Sequence, residues 1–91
     1  MSVTVKIPTQ LRSAAGGNSE ALVEGATVAK ALDGLYEQFG ELRERIADDD
    51  GSLRRFVNVY VGGEDIRFLD GLQTPVLDGG EITILPAVAG G

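Results

Sequence analysis

The residues with chemistry to offer stand together at the C-terminal end: Ile84, Leu85, Pro86, Ala87, Val88, Ala89, Gly90 and Gly91. An apolar run meets a proline, then small residues, then two glycines. Proline has no N–H to give a sheet ladder, so Pro86 is expected to end a strand and begin a free arm. Gly90 and Gly91 carry no Cβ, so a partner's cleft could close on bare backbone and reach the terminal carboxylate. That carboxylate, on Gly91, is the candidate reactive group. The competing reading is a frayed end, since domains commonly finish in small residues that pack against nothing.

Elsewhere the side chains exclude more chemistry than they offer. The sequence has no Cys and no His, which removes disulfides, thiolate nucleophiles, histidine bases and the usual zinc sites together. A chain of 91 residues supports one core and leaves no room for a second catalytic domain. At this size folding hides only roughly 60% of the unfolded surface. Fourteen acidic against eight basic residues give a net charge of −6, which repels phosphate backbones and anionic membranes, so neither nucleic acid nor membrane is expected as a partner. With no charged-then-apolar leader after Met1 and no apolar run approaching about 18 residues, a soluble cytoplasmic protein is expected. Asp48-Asp49-Asp50-Gly51 invites a calcium reading, but the carboxylates are adjacent rather than alternating and no bidentate Glu follows, so a solvated loop is expected.

The elements that must position the arm follow from periodicity. Val3, Val5 and Ile7 alternate with polar residues up to Pro8, which predicts a half-buried strand. Residues 9–18 have a turn composition, with Gly16-Gly17-Asn18, and residues 20–24 give a second strand with Ala21 and Val23, or else Leu22, pointing inward. Thr27 is a good N-cap for Val28, Ala31, Leu32, Leu35, Tyr36 and Phe39, an amphipathic helix of about three turns that Gly40 is expected to end. Residues 41–47 form a further helical turn, with Leu42 and Ile46 on one side and Glu41 four residues ahead of Arg45. Residues 56–61 are β-branched and aromatic, Gly62-Gly63 turns the chain, and residues 65–68 pair back. Turn signals at Asp70-Gly71 and Asp78-Gly79-Gly80 flank residues 72–77, and residues 81–85 are the last strand. The order is β, β, α, β, β, β. Because first and last strands are both apolar, they are placed side by side and parallel in the middle, with the helix across one face. The expected fold is α+β, a ubiquitin-like β-grasp: a mixed sheet of four to five strands, one main helix on one face, a domain over residues 1–86 and a flexible arm over residues 87–91.

At this point the sequence resembles the ubiquitin-like sulfur carriers, the family of the molybdopterin-synthase small subunit and the thiamine-pathway carrier. The stretch Asp78-Gly79-Gly80-Glu81-Ile82-Thr83-Ile84-Leu85-Pro86 followed by Ala87-Val88-Ala89-Gly90-Gly91 has the family's acidic-Gly turn, apolar strand, proline and Gly-Gly tail. Leu11-Arg12 and the hairpin over residues 59–64 extend the resemblance along the chain. Within the family, Val3-Thr4-Val5, Ile7-Pro8-Thr9 and Arg55-Phe56-Val57-Asn58 look most like the cysteine-biosynthesis carriers of actinobacteria. The molybdopterin branch more often has an aromatic pair before the proline and a second proline after it, where this chain has Ile84, Leu85 and Ala87.

The resemblance implies a carrier, a protein co-substrate and no enzyme, with no cofactor of its own. An E1-like adenylyltransferase/sulfurtransferase would use ATP to adenylate Gly91 and convert it to a thiocarboxylate. The ionised thiocarboxylate would then be the nucleophile, as a thiolate rather than a thiol is. In the cysteine branch the acceptor is held on pyridoxal phosphate in a partner cysteine synthase, and a metalloprotease releases the product; both cofactors belong to partners. Alternatives are a carrier for molybdopterin, thiamine or another sulfur-containing metabolite, a ubiquitin-like modifier joined through Gly91 to lysines, or an inert interaction domain. Partner contacts are expected at Gly90, Ala89 and Val88 on the arm. Leu85 and Tyr60 join them if alternation turns Val57, Val59 and Val61 to the helix and Asn58 and Tyr60 outward. Arg12, Arg54, Arg55 and Arg67 are candidates for steering. Alone, the chain is expected to be a monomer.

Overall fold

Alternation decides the sheet. The computed structural model describes residues 2–55 and 57–86, and in it strand β1 (Ser2–Lys6) buries Val3 and Val5 while Ile7 continues the apolar face just beyond it. Strand β2 (Glu20–Glu24) pairs antiparallel with β1 and turns Ala21 and Val23 inward, leaving Leu22 outside. Strand β3 (Val57–Val61) buries Val59; Phe56, expected at its start, lies outside the described residues. Gly62 and Gly63 both have positive φ, 58° and 89°, as a two-residue hairpin turn requires. Strand β4 (Glu64–Asp65) is shorter than expected, because residues Ile66–Phe68 wind into a 3-10 turn capped by the Asp65 carboxylate, which accepts from the Arg67 N–H at 2.9 Å. That local bond competes with the ladder and wins. Strand β5 (Glu81–Pro86) completes a mixed sheet of order β2-β1-β5-β3-β4, in which the first and last strands are parallel neighbours. This is the ubiquitin-like β-grasp.

Helix α1 (Val28–Gln38) lays Val28, Ala31, Leu32 and Leu35 on the sheet, with Tyr36 and Phe39 half-buried beside them. Its start is fixed twice. The Thr27 hydroxyl accepts from the Lys30 N–H at 3.2 Å, and the Val28 N–H, which has no partner within the helix, donates to the Thr74 carbonyl at 3.0 Å. Residues 72–77 thus serve the helix: a 3-10 turn (Gly71–Gln73) leads to buried Thr74 and Val76, and the Val76 N–H donates to Ala26 at 2.9 Å. Gly25 lets the entry to α1 come this close, since a Cβ there would lie 2.5 Å from the Ala31 nitrogen.

Two expectations about the helical layer are corrected. Gly40 does not end α1; Phe39, at φ −134° and ψ 84°, is the break, and Gly40 opens helix α2 (Gly40–Ile46), which buries Leu42 and Ile46. Residues 9–15 are a 3-10 helix rather than a turn (Thr9–Ala15), because Leu11, Ala14 and Ala15 fall three and four apart and are buried together beneath α2. Only Gly16-Gly17 turns.

Leu32 is 2% exposed in the middle of the helical stripe. Its replacement by Ala is expected to lower the unfolding free energy by about 2 to 5 kcal/mol, through lost transfer and a cavity. Glu37→Ala, on the exposed side of the same helix, is expected to change it by less than about 0.5 kcal/mol. Urea unfolding of the two variants checks this, and an unaltered midpoint for Leu32→Ala would overturn the placement of the helix face.

Candidate functional site

The site begins with the strand that leads to the arm. β5 is held on one side by β1, with Thr4, Val5 and Lys6 beside Glu81, Ile82 and Thr83, and on the other by β3, which pairs with it from Val61↔Ile82 to Val57↔Pro86. Ile82 and Ile84 are buried beneath the helical layer, so β5 cannot slide by one residue without exposing both. The strand therefore runs one residue beyond the expected end, to Pro86.

The backbone explains how a proline is accommodated. The Thr4 N–H donates to Gly80 at 3.0 Å and the Gly62 N–H to Glu81 at 3.4 Å, so residues 82, 84 and 86 turn their backbone groups toward β1 and residues 81, 83 and 85 toward β3. Pro86 thus places its missing N–H on the side where β1 has already ended and Pro8 has started the 3-10 helix. No ladder bond is lost, as strand prolines require.

On the outer face, away from the helices, Leu85 is 45% exposed and stands opposite Asn58, while Tyr60 stands opposite Thr83, one diagonal step away. The structure therefore brings Leu85 and Tyr60 to one face at the root of the arm. Gly91, Gly90, Ala89 and Val88 lie outside the described residues, as does the expected arm over residues 87–91.

A group beside Tyr60 escaped the sequence reading. Asp65, opposite Tyr60 in the register, has a side chain only 7% exposed, covered by the Arg67 guanidinium. Arg67 Nη2 donates to Asp65 Oδ2 at 2.7 Å, and Nε lies 3.2 and 3.1 Å from the two carboxylate oxygens. These bonds from Arg67 hold the Asp65 carboxyl below the usual carboxylate range, against a smaller opposing effect of burial, and the same bonds raise Arg67. The Asp-x-Arg spacing was its trace in the sequence, concealed by a strand reading of residues 65–68. Of the other arginines expected to steer, Arg12 donates through Nε to the Ile7 carbonyl at 3.1 Å and Arg54 to the Glu44 carbonyl at 2.9 Å, so both fasten loops, while Arg55 is exposed.

Concave space lies elsewhere. A groove of about 470 Å³ on the helical layer is lined by Asp33, Tyr36, Glu37, Gly40 and Arg43, where burial, with Asp33 adding to it, pushes Tyr36 up to about 12. Asp50 accepts from the Ser52 N–H and hydroxyl at 3.0 and 2.6 Å, and among the described residues no His, Cys, Asp or Glu groups converge as a metal site. Among the described residues no helix is long and apolar enough to cross a membrane. Beside β5 the outer sheet face carries the exposed Leu85 and the fastened Arg67.

Sheet order and the central last strand together define a ubiquitin-like β-grasp protein. The model of the ThiS family matches residues 5–91, and the chain belongs to that family. It is 46% identical to the sulfur carrier protein CysO of Mycobacterium tuberculosis, with 100% of each chain covered. Its structure is similar to a chain in the crystal structure of the Amycolatopsis orientalis BexX/CysO complex, at 46% identity and a TM-score of 0.90, covering 98% of this chain and 99% of that one. It is also similar to SAMP1 of Haloferax volcanii, at 32% identity and a TM-score of 0.86, with both chains covered completely.

The Asp65–Arg67 pair gives the fold a pH dependence of known sign. A carboxyl whose folded pKa lies below its unfolded value of about 3.9 contributes stability that is full above that pH and is lost as pH falls through the folded pKa. The stability difference between wild type and Asp65→Asn is therefore expected to be constant near neutrality and to shrink below about pH 4. Urea unfolding across that range measures it, and a difference independent of pH would contradict the pairing.

Proposed function

We propose that this chain is a sulfur carrier in which the carboxylate of Gly91 is the cargo site. A carboxylate is a poor electrophile. Adenylation by a partner that uses ATP joins the carboxylate oxygen to the α-phosphorus and releases pyrophosphate; a sulfide equivalent then attacks the acyl carbon and expels AMP, leaving a thiocarboxylate. No side-chain thiol is needed, which accounts for a sulfur protein without Cys. The observation that carries the reading is the run of the family match through Gly90 and Gly91, joined to a strand fixed from both sides up to Thr83 and from β3 up to Pro86. Gly90, Ala89 and Val88 would thread the partner's cleft, and Leu85 and Tyr60 would meet its surface.

The finer assignment is delivery to cysteine biosynthesis, supported by the likeness to CysO along the whole chain. There the thiocarboxylate sulfur adds to the terminal carbon of an aminoacrylate held on pyridoxal phosphate by a partner synthase, which leaves cysteine attached to the carrier's end for a metalloprotease to release. The CysO of Amycolatopsis has been crystallised with BexX, and by that likeness this chain too is proposed to dock on a partner protein. The likeness to SAMP1 favours a second reading, a modifier joined through Gly91 to lysines of other proteins.

Intact mass spectrometry of the protein from its host separates the two: the carrier shows sulfur in place of oxygen at Gly91, whereas the modifier shows isopeptide-linked fragments and no sulfur. Incubating the thiocarboxylate with the host's synthase and an activated serine is expected to add one cysteine residue to the carrier. Transfer to a molybdopterin precursor with no cysteine adduct would overturn the branch. Deleting Gly91 is expected to abolish transfer with the fold unchanged. Gly90→Phe is expected to block adenylation although the carboxylate is still present, and full adenylation of that variant would contradict the threading step.

A further inference from the structure

The outer edge of the sheet along β2 carries features that the arm and its root do not use. The Ile7 N–H donates to Ser19 at 2.8 Å, and the Thr4 N–H is committed to Gly80, so Val3 and Val5 turn their backbone groups to β2 and receive Val23 and Ala21 in return. Glu20, Leu22 and Glu24 therefore direct their N–H and C=O groups away from the sheet. Leu22 is 65% exposed, the kind of apolar side chain an edge strand ordinarily avoids. Its outward carbonyl is taken at 2.8 Å by the carboxamide of Gln38, an exposed side chain on the last turn of α1. Between β2 and α1 lies a groove of about 380 Å³, lined on the helical side by Lys30, Asp33 and Glu37.

We propose that this edge accepts an extended segment of a partner protein as an added antiparallel strand, with an apolar residue opposite Leu22 and a Lys or Arg two positions to either side. The charges select the occupant. Glu20 and Glu24 flank Leu22 on the outer face, Glu24 accepting from the Ser2 hydroxyl at 3.3 Å, and Asp33 and Glu37 border the groove, against Lys30 and against Lys6, which lies 3.4 Å from Glu20. A second copy of this chain is a poor occupant, because two-fold pairing centred on Leu22 sets Glu20 of each copy against Glu24 of the other, and like charges directly opposite destabilise a ladder. A basic, apolar, basic alternation answers the same three positions with opposite charge. Gln38 holds the Leu22 carbonyl until a backbone N–H replaces it, so the edge acceptor is satisfied in both states. β2 and β1 separate the added strand from β5, so it runs three strand spacings, about 14 Å, from the strand that leads to the arm and leaves the arm's root uncovered. A partner could hold the protein by this edge while another acts on its end.

The probe is a capped peptide with the centre Lys-Val-Leu-Val-Lys, titrated into the ¹⁵N-labelled full chain. Amide shifts are expected at Glu20, Leu22 and Glu24, together with movement of the Gln38 side-chain amide signals as the Leu22 carbonyl changes partner. The double change Glu20→Lys and Glu24→Lys is expected to weaken that peptide about tenfold and to transfer preference to a Glu-Val-Leu-Val-Glu peptide. Leu22→Ser, which leaves both charges in place, is expected to weaken either combination. Each variant's own amide spectrum reports that the fold is retained. Shifts confined to Tyr60 and Leu85, a charge-reversed variant that binds both peptides as the wild type does, or self-association through Leu22 would each overturn the proposal.

Discussion

Everything in this molecule depends on where the last strand sits. β5 lies between β1 and β3, with Ile82 and Ile84 driven under the helical layer, so the strand is fixed by the core itself. A slip of one residue would expose both isoleucines and bury Thr83 and Leu85. Burying a side chain of that size is worth about 1.5 to 3 kcal/mol, a large share of what a domain this small has to spare. Register is thereby fixed along β5. The helices, the 3-10 turns and the Thr74–Val28 bond all hold the layer that makes this so.

The carrier role proposed above asks for a defined root and a face to be recognised by, and not for catalytic side chains. Leu85 and Tyr60 supply apolar surface on that face, and the Asp65–Arg67 fork keeps a guanidinium in a set position beside Tyr60. An unpaired arginine there would sample many rotamers, whereas the bidentate pair presents one edge.

Much of the fold was legible because single-period signals met no competitor. Val3-Val5-Ile7, Ala21-Val23 and Ile82-Ile84 alternate strictly, and Thr27 followed by apolar residues three and four apart admits little but a capped helix. From these the parallel central pair follows. The misreadings share a cause: local bonds or distant packing overrode composition. Residues 9–15 look like a turn until Leu11, Ala14 and Ala15 find α2 above them, and residues 66–68 look like strand until the Asp65 carboxylate takes the Arg67 N–H. Gly40 has the composition of a helix stop, yet the break falls at Phe39. Of the candidate site, Leu85 and Tyr60 were readable from alternation; the Asp65–Arg67 fork was not, because a strand reading gave Asp65 no reason to be buried.

The ladder between β1 and β5 ends at Lys6 and Thr83, short of Pro8 and Pro86, while that between β3 and β5 continues to Pro86, and this sets how the protein responds to tension. β1 and β5 lie parallel, so a pull along the tail loads their shared bonds sideways and all at once instead of opening them one after another. Load applied at Pro86 meets the first strand and the third in the same instant.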